Sequence, residues 1–176
     1  VLLHSHWPTA GDPPQGISVA RVADCGAVLT PIRPDREALI LVPHIAVLGV
    51  GCRRGTPQAT LEAAFQALLD RSRLLPQAFC RVCSIDLKSE EPGLLAFCRS
   101  HGLPLETFSA PQLSRVAGDF SSSPFVQKVT GVDNVCERAA VLGSGGSLYW
   151  KKTAGNGVTM AVALAPFSPD WRWKDE

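Results

Sequence analysis

The sequence lacks an excess of charge of either sign, because 17 Lys and Arg residues oppose 16 Asp and Glu residues and leave a formal net charge of +1. A domain dedicated to nucleic acid shows a strong basic excess, and an acidic tail or a polybasic membrane anchor shows a run of like charge. We therefore expect no nucleic-acid partner and no membrane partner.

Long hydrophobic runs are missing as well. A run such as Ile45–Val50 has the length of a strand and is far shorter than the ~18 residues of a membrane-spanning helix. A signal peptide is not predicted, because His4, His6, Pro8 and Asp12 interrupt the start of the chain. These absences predict a cytoplasmic protein.

Methionine occurs once, at Met160, and the chain begins at Val1, so we expect a processed product or a piece of a longer protein. The length of 176 residues and the 45% hydrophobic content suit one domain with a substantial core, with or without an appendage. Residues 1–37 are rich in Pro and Gly and predict an arm, the remnant of a preceding domain. An α/β domain is expected over residues 38–166 and a tail over residues 167–176.

Several catalytic motifs are also absent, among them G-x-S-x-G and H-E-x-x-H. The four histidines are not spaced as metal ligands or as members of a catalytic triad, and we expect no metal site. Six cysteines are present, and Cys80-x-x-Cys83 is either a zinc half-site, a redox pair or two core residues of a strand. The core interpretation is favoured, because no second C-x-x-C or paired histidine completes a zinc site.

The order of the predicted elements is β-α-β-α-β-α-α-β-β. It predicts a three-layer α/β/α fold with a mainly parallel, mixed sheet and a C-terminal antiparallel hairpin. The hairpin turn is indicated by Asn156-Gly157. In such sheets ligands bind beyond the carboxyl ends of the strands, where the loops 49–56, 84–91 and 121–131 are expected to meet.

The first of these loops is glycine-rich and connects a strand to a helix predicted to have Thr56 as its N-cap. Backbone N–H groups at glycines and at a helix start attract anions, and arginine donors suit carboxylate or phosphate. Two interpretations stay open: an anion site, and a tight turn with two solvated arginines. The binding candidates here are Gly51, Cys52, Arg53, Arg54, Gly55 and Thr56. The spacing G-x-G-x-x-x-G departs from a dinucleotide fingerprint, and no Gly-Lys-Ser/Thr makes it a P-loop.

The second loop continues a strand predicted over Phe79–Leu87, which places Ser84, Asp86 and Lys88 on one side of the strand end. An Asp–Lys pair there is either a proton-handling pair or a surface salt bridge worth under ~1 kcal/mol.

The third loop contains hydroxyl groups and helix starts, with Asp133 as a predicted cap. It is either a surface for a polar ligand or a plain pair of helix caps. Its candidates are Ser122, Ser123, Lys128, Thr130 and Gly131.

Four segments together resemble the C-terminal domain of CbiG, the cobalt-precorrin-5A hydrolase of anaerobic cobalamin (vitamin B12) biosynthesis, and the related protein CobE. They are Gly49–Thr56, Ser84–Lys88 with Glu91–Gly93, Lys128–Ala140 and Lys152–Thr159. The resemblance covers roughly residues 44–165 and implies an α/β/α fold. It also implies that the family's N-terminal domain is absent, and that residues 1–37 correspond to the end of its middle domain.

The resemblance implies opening of the ring lactone of cobalt-precorrin-5A, with release of a two-carbon unit as acetaldehyde, to give cobalt-precorrin-5B. Cobalt is carried by the substrate, so no separate cofactor is expected. Arg53 and Arg54 would bind the acetate and propionate arms of such a substrate. Asp86 or Glu91 would act as base, and Lys88 or Lys128 would stabilise charge.

Two other functions are weighed: a non-catalytic tetrapyrrole-binding or carrier module, and a nucleotide-dependent enzyme that uses the glycine-rich loop. A homodimer and contact with other enzymes of the cobalamin pathway are left open.

Overall fold

The computed structural model describes residues 1–20, 25–120 and 124–172. The described residues form two sheets and five α-helices. The strands are β1 Leu2–Ser5, β2 Ser18–Ala20, β3 Ala27–Leu29, β4 Leu39–Leu41, β5 Ala46–Cys52, β6 Phe79–Ile85, β7 Leu105–Phe108, β8 Ser147–Gly155 and β9 Val158–Leu164. The helices are α1 Gln58–Ser72, α2 Pro92–His101, α3 Ala110–Ser114, α4 Pro124–Thr130 and α5 Val135–Ser144, with 3-10 turns at Pro76–Ala78 and Asp86–Lys88.

The larger sheet has five strands in the order β7-β6-β5-β9-β8. Strands β5, β6 and β7 run parallel, whereas β9 is antiparallel to both β5 and β8. Asn156 and Gly157 link β8 to β9 with positive φ angles of 51° and 78°, as a tight hairpin turn requires. The mixed sheet and its antiparallel hairpin confirm the predicted fold class.

Two apolar cores lie on opposite faces of this sheet, because successive side chains of a strand point to opposite sides. Leu48 packs in the core under α1 and α2 with Phe65 and Phe97. Its neighbour Val47 packs in the other core with Ala139 of α5. The helices thus cover both faces of the sheet and give three layers.

A second, smaller sheet lies in the N-terminal segment, with four parallel strands in the order β2-β1-β3-β4. The sequence of this segment predicts short strands only at Ile17–Val22 and Ala27–Thr30, which overlap β2 and β3. Strands β1 and β4, of four and three residues, were not predicted. The predicted boundary near residue 38 stays a prediction.

Backbone contacts link the first and last parts of the described chain. The Ala10 N–H donates to the Pro169 carbonyl, and the Ala10 carbonyl accepts from the Trp171 N–H. A further bond, from the Leu75 N–H to the Pro31 carbonyl, joins the N-terminal segment to the residues that follow α1. In the portion of the chain that is described, no helix has both the length and the apolar content needed to cross a membrane.

Candidate functional site

The carboxyl ends of β5 and β6 carry two loops that are joined directly. The backbone N–H of Gly55, after β5, donates to the Oε1 atom of Glu91, before α2, over 2.6 Å. Gly55 has a φ angle of +75°, which favours glycine at this turn. Two of the three loops predicted to meet therefore do so, and the contact uses a backbone donor of the glycine-rich segment.

The first two glycines of that segment lie within β5 and serve close packing. A Cβ atom at Gly49 would lie 1.8 Å from the carbonyl oxygen of Cys136 at the start of α5, and one at Gly51 would lie 2.5 Å from the Thr159 hydroxyl. A third close approach, of Gly93 to the Thr56 carbonyl, would place a Cβ at 2.0 Å. Close packing thus accounts for glycine at positions 49 and 51, a role that was not predicted from the sequence. A ligand contact by Gly51 stays a prediction.

The prediction that Thr56 caps α1 is wrong. The Thr56 hydroxyl donates to the carbonyl of Arg53 over 2.7 Å, so it stabilises the loop instead of the helix. Helix α1 begins at Gln58, and the carbonyl of Pro57 accepts the N–H groups of Thr60 and Leu61.

Glu91 and Lys88 form a largely buried ion pair under this loop. Their Oε2 and Nζ atoms are 3.1 Å apart, and their side chains are 6% and 15% exposed. Burial raises the pKa of the nearby Cys52 thiol, while Lys88 opposes that shift and Glu91 adds to it. Thiol, ammonium and carboxylate thus lie in one electrostatic neighbourhood at the end of β5.

The prediction that Ser84, Asp86 and Lys88 share one side of a strand is wrong. Strand β6 ends at Ile85, and Asp86–Lys88 turn into a 3-10 helix, so the alternation stops after one residue. Ser84 is fully buried and donates to the Val50 carbonyl over 2.7 Å. Asp86 is exposed, whereas Lys88 is directed to Glu91.

Arg53 and Arg54 are exposed, and neither guanidinium forms an ion pair within the described residues. The Arg53 N–H donates to the Gly157 carbonyl over 3.0 Å, and its side chain packs against Gly157 in the hairpin turn. The hairpin thus fixes the backbone and the aliphatic part of Arg53, while the residue as a whole stays exposed to solvent.

The third predicted loop is described only in part, since Ser122 and Ser123 lie outside the described residues. Lys128 is exposed on α4, and Thr130 donates to the Val132 carbonyl over 3.0 Å. Gly131 has a φ angle of +77° and lies beside Ala110, just beyond β7. Contact of this loop with the other two stays a prediction.

Sequence reasoning assigned the cap of α5 to the wrong residue. Asp133 binds Arg138 over 2.9 Å, and the N-cap is Asn134, whose side chain accepts the Glu137 N–H over 3.0 Å. The carboxylate of Glu137 is fully buried and accepts from the Asn134 amide over 2.7 Å and the Lys152 N–H over 2.6 Å. The Asn-x-x-Glu spacing at a helix start was the signal that could have found this group.

Cys80 and Cys83 are both free thiols that pack in the core beside α5. Burial raises the pKa of Cys83 to about 12, which keeps the thiol protonated and unsuited to redox exchange. The core interpretation of this pair therefore fits the structure.

Comparison with known proteins finds relatives of the part of the chain that forms the larger sheet and its helices. Residues 46–163 match the family model described as the cobalamin synthesis G C-terminus. A protein named cobalt-precorrin-5A hydrolase from Salmonella typhimurium is 37% identical over 125 residues, which are 71% of this chain and 36% of that protein. A protein of the same name from Priestia megaterium is 34% identical over 127 residues, 71% of this chain and 33% of that protein.

A solved structure of CobE, a protein from the cobalamin biosynthetic pathway, superposes with a TM-score of 0.65 at 26% identity. The match covers 71% of this chain and 93% of that chain. This chain therefore spans nearly all of the CobE structure but only about a third of the two named hydrolases.

Proposed function

The chain belongs to the cobalamin synthesis G C-terminus family, and from this premise we propose that it is the C-terminal part of a cobalt-precorrin-5A hydrolase of the cytoplasm. Its reaction is opening of the ring lactone of cobalt-precorrin-5A with release of acetaldehyde. The cobalt ion belongs to the substrate, and no resident cofactor is part of the proposal. Whether the chain pairs with itself or contacts other enzymes of the pathway stays a prediction.

The observation that carries the proposal is the pair of exposed arginines on the joined loops. Arg53 and Arg54 follow the end of β5, and neither binds a carboxylate among residues 1–20, 25–120 and 124–172. The substrate bears many acetate and propionate arms. Guanidinium groups bind carboxylates through two parallel hydrogen bonds. Since the loop is fixed by the Gly55–Glu91 bond and by Gly157, both cations are held at the edge where α/β proteins bind ligands.

Of the two carboxylates expected as base, we propose Asp86. Both oxygens of Glu91 accept hydrogen bonds, one from Gly55 and one from Lys88, which supports a positioning role for this carboxylate. Asp86 is exposed at the end of β6 and is the better base. In the proposed step, Asp86 accepts the proton of a water that attacks the lactone carbonyl, and an exposed cation such as Lys128 stabilises the oxyanion. Collapse of the oxyanion breaks the lactone C–O bond and frees an alkoxide. The alkoxide becomes the carbonyl of acetaldehyde as its carbon–carbon bond to the ring breaks, and the ring carbon takes the proton held by Asp86.

A test of this proposal is incubation of the purified chain with cobalt-precorrin-5A and a trap for acetaldehyde. We expect acetaldehyde release by the chain, loss of release in Asp86→Asn, and full release in Glu90→Gln, whose carboxylate is exposed next to the site. Release that is unchanged in Asp86→Asn would rule out Asp86 as the base.

A second candidate is a carrier module that binds the tetrapyrrole without turnover. The comparisons favour it in one respect: the chain covers nearly the whole CobE structure but only about a third of the named hydrolases. Saturable binding of cobalt-precorrin-5A without acetaldehyde release would support it. Tight binding of NAD(P) instead would contradict both candidates.

A further inference from the structure

A groove runs between α1 and the β8–β9 hairpin and has a volume of about 200 Å³. Its helix side is formed by residues spaced at i, i+3, i+4, i+7, i+8 and i+11, which lie on one face of a helix. These residues are Thr60, Ala63, Ala64, Ala67, Leu68 and Arg71. The hairpin side includes Thr153, Asn156 and Met160.

Two of the small side chains along this groove, Ala63 and Ala67, do not serve close packing. Alanines that let a helix pack closely on a sheet leave no open space between the helix and the sheet, because protein interiors are close-packed. Here Ala63 and Ala67 are exposed and the space above them stays open. The apolar base of the groove comes from Leu68, Val158 and Met160, which are buried in the sheet core. The accessible apolar surface of the groove is therefore that of Ala63 and Ala67, above this buried base.

The groove is continuous with the edge at which Arg53 lies. Asn156 lines one end, and the next residue, Gly157, packs against the Arg53 side chain. Arg71 lines the groove at the last turn of α1, about 16 Å from Thr60 at 1.5 Å per residue. Arg71 is exposed and forms no ion pair in the described part of the chain. The groove thus has an apolar surface with Arg71 at one end and Arg53 beyond the other. This arrangement suits a flat apolar ring system with carboxylate arms.

We propose that this groove binds one edge of the carboxylate-bearing tetrapyrrole, with Arg71 holding one of its arms; this inference rests on the proposed function. The volume is below the roughly 300–1,000 Å³ of pockets that enclose a drug-sized ligand. The groove thus takes an edge of the macrocycle, and the rest extends over the hairpin turn toward Arg53. The hydroxyl of Thr60 and the amide of Asn156 lie along the same path and can bind further arms.

Absorbance titration of cobalt-precorrin-5A into the full chain tests the groove. Arg71→Ala removes the cation, and Ala67→Trp fills the groove. Each is expected to raise the dissociation constant about 10-fold or more, the loss of one charge-assisted hydrogen bond or of the contact surface. The matched controls are Arg99→Ala and Gln66→Trp. Arg99 is another exposed arginine with no ion pair to any residue that the structure describes, and Gln66 is the neighbouring exposed position of α1. Both variants should bind within about twofold of the parent chain.

The outcomes separate the groove from the proposed function. If the parent chain binds and Arg53→Ala weakens binding, but Arg71→Ala and Ala67→Trp do not, the groove inference is overturned and the proposed function stands. If Arg71→Ala lowers only the melting temperature, the arginine acts on the helix end alone and the inference fails. If the parent chain does not bind, the proposed function fails and the groove inference fails with it.

Discussion

Replacement of Glu91 by Gln tests whether the buried ion pair holds the two loops together. The amide of Gln has nearly the shape of the carboxylate and its oxygen can still accept the Gly55 N–H. Its NH₂ group, however, would face the Lys88 ammonium, which is another donor. The substitution therefore removes one charge-assisted hydrogen bond and leaves a cation that is only 15% exposed without its partner.

The size of the effect follows from these contacts. A hydrogen bond to a charged group contributes ~1.5–3 kcal/mol, and breaking a buried ion pair by removing one partner costs about 3–5 kcal/mol. Because Lys88 keeps some contact with water, we expect a loss of about 3 kcal/mol in the free energy of unfolding. For a chain of this length, that corresponds to a fall in melting temperature of roughly 6–12 °C.

Urea unfolding of Glu91→Gln, followed by circular dichroism, measures the loss. Glu90→Gln is the matched control, since that neighbouring side chain is exposed and its change should stay within ±0.5 kcal/mol. The double variant Lys88→Met, Glu91→Gln should lose less than the sum of the two single variants, because the unpaired cation is gone. A Glu91→Gln chain as stable as the control would refute the assignment of Glu91 as the residue that fixes the loops.

Three further predictions concern stability. Gly49→Ala should destabilise the chain by at least about 1–3 kcal/mol, because its Cβ would overlap the Cys136 carbonyl. Gly26→Ala, with open space around it, should change the free energy of unfolding little. Equal effects of the two substitutions would contradict the packing role of Gly49. Asn134→Ala should cost about 1–2 kcal/mol for the lost cap and a further ~1.5–3 kcal/mol for the lost amide donor to buried Glu137, whereas Asn134→Ser should recover only the cap; equal stability of the two variants in urea unfolding would contradict the capping role. Burial raises the pKa of Cys83 and Cys136 from 9.0 to about 12. Between these values the folded state keeps protons that the unfolded state loses, so the free energy of unfolding should fall as pH rises from about 9 to about 12. If the pH dependence of the free energy of unfolding is unaltered when both thiols are replaced by alanine, this cause is excluded.

The architecture of the larger sheet could be predicted because its elements have strong local signals. Helix α2 begins at Pro92 and ends before Gly102 in the left-handed region, as the sequence indicates. Ser109 and Gln112 form the capping box that starts α3. The hairpin turn follows from Asn156-Gly157, where both residues need positive φ.

The site was predicted less well because its geometry depends on contacts between distant segments. Glu91 binds Gly55 across 36 positions of the chain, and no local pattern marks that hydrogen bond. The glycine motif looked like a ligand-binding turn, yet Gly49 is required by the backbone of α5, a helix that begins far along the sequence. The strand was extended past Ile85 because its apolar pattern continues to Leu87, although the chain already turns there.

Titration of cobalt-precorrin-5A into the parent chain and into the Arg53→Ala, Arg54→Ala double variant tests the central claim most directly. The account predicts saturable binding by the parent chain and binding at least about 10-fold weaker in the double variant, since each lost charge-assisted bond contributes ~1.5–3 kcal/mol. Arg115→Ala, which removes another exposed arginine, should bind as the parent does. Equal affinity in the double variant, or no binding by the parent chain, would contradict the account.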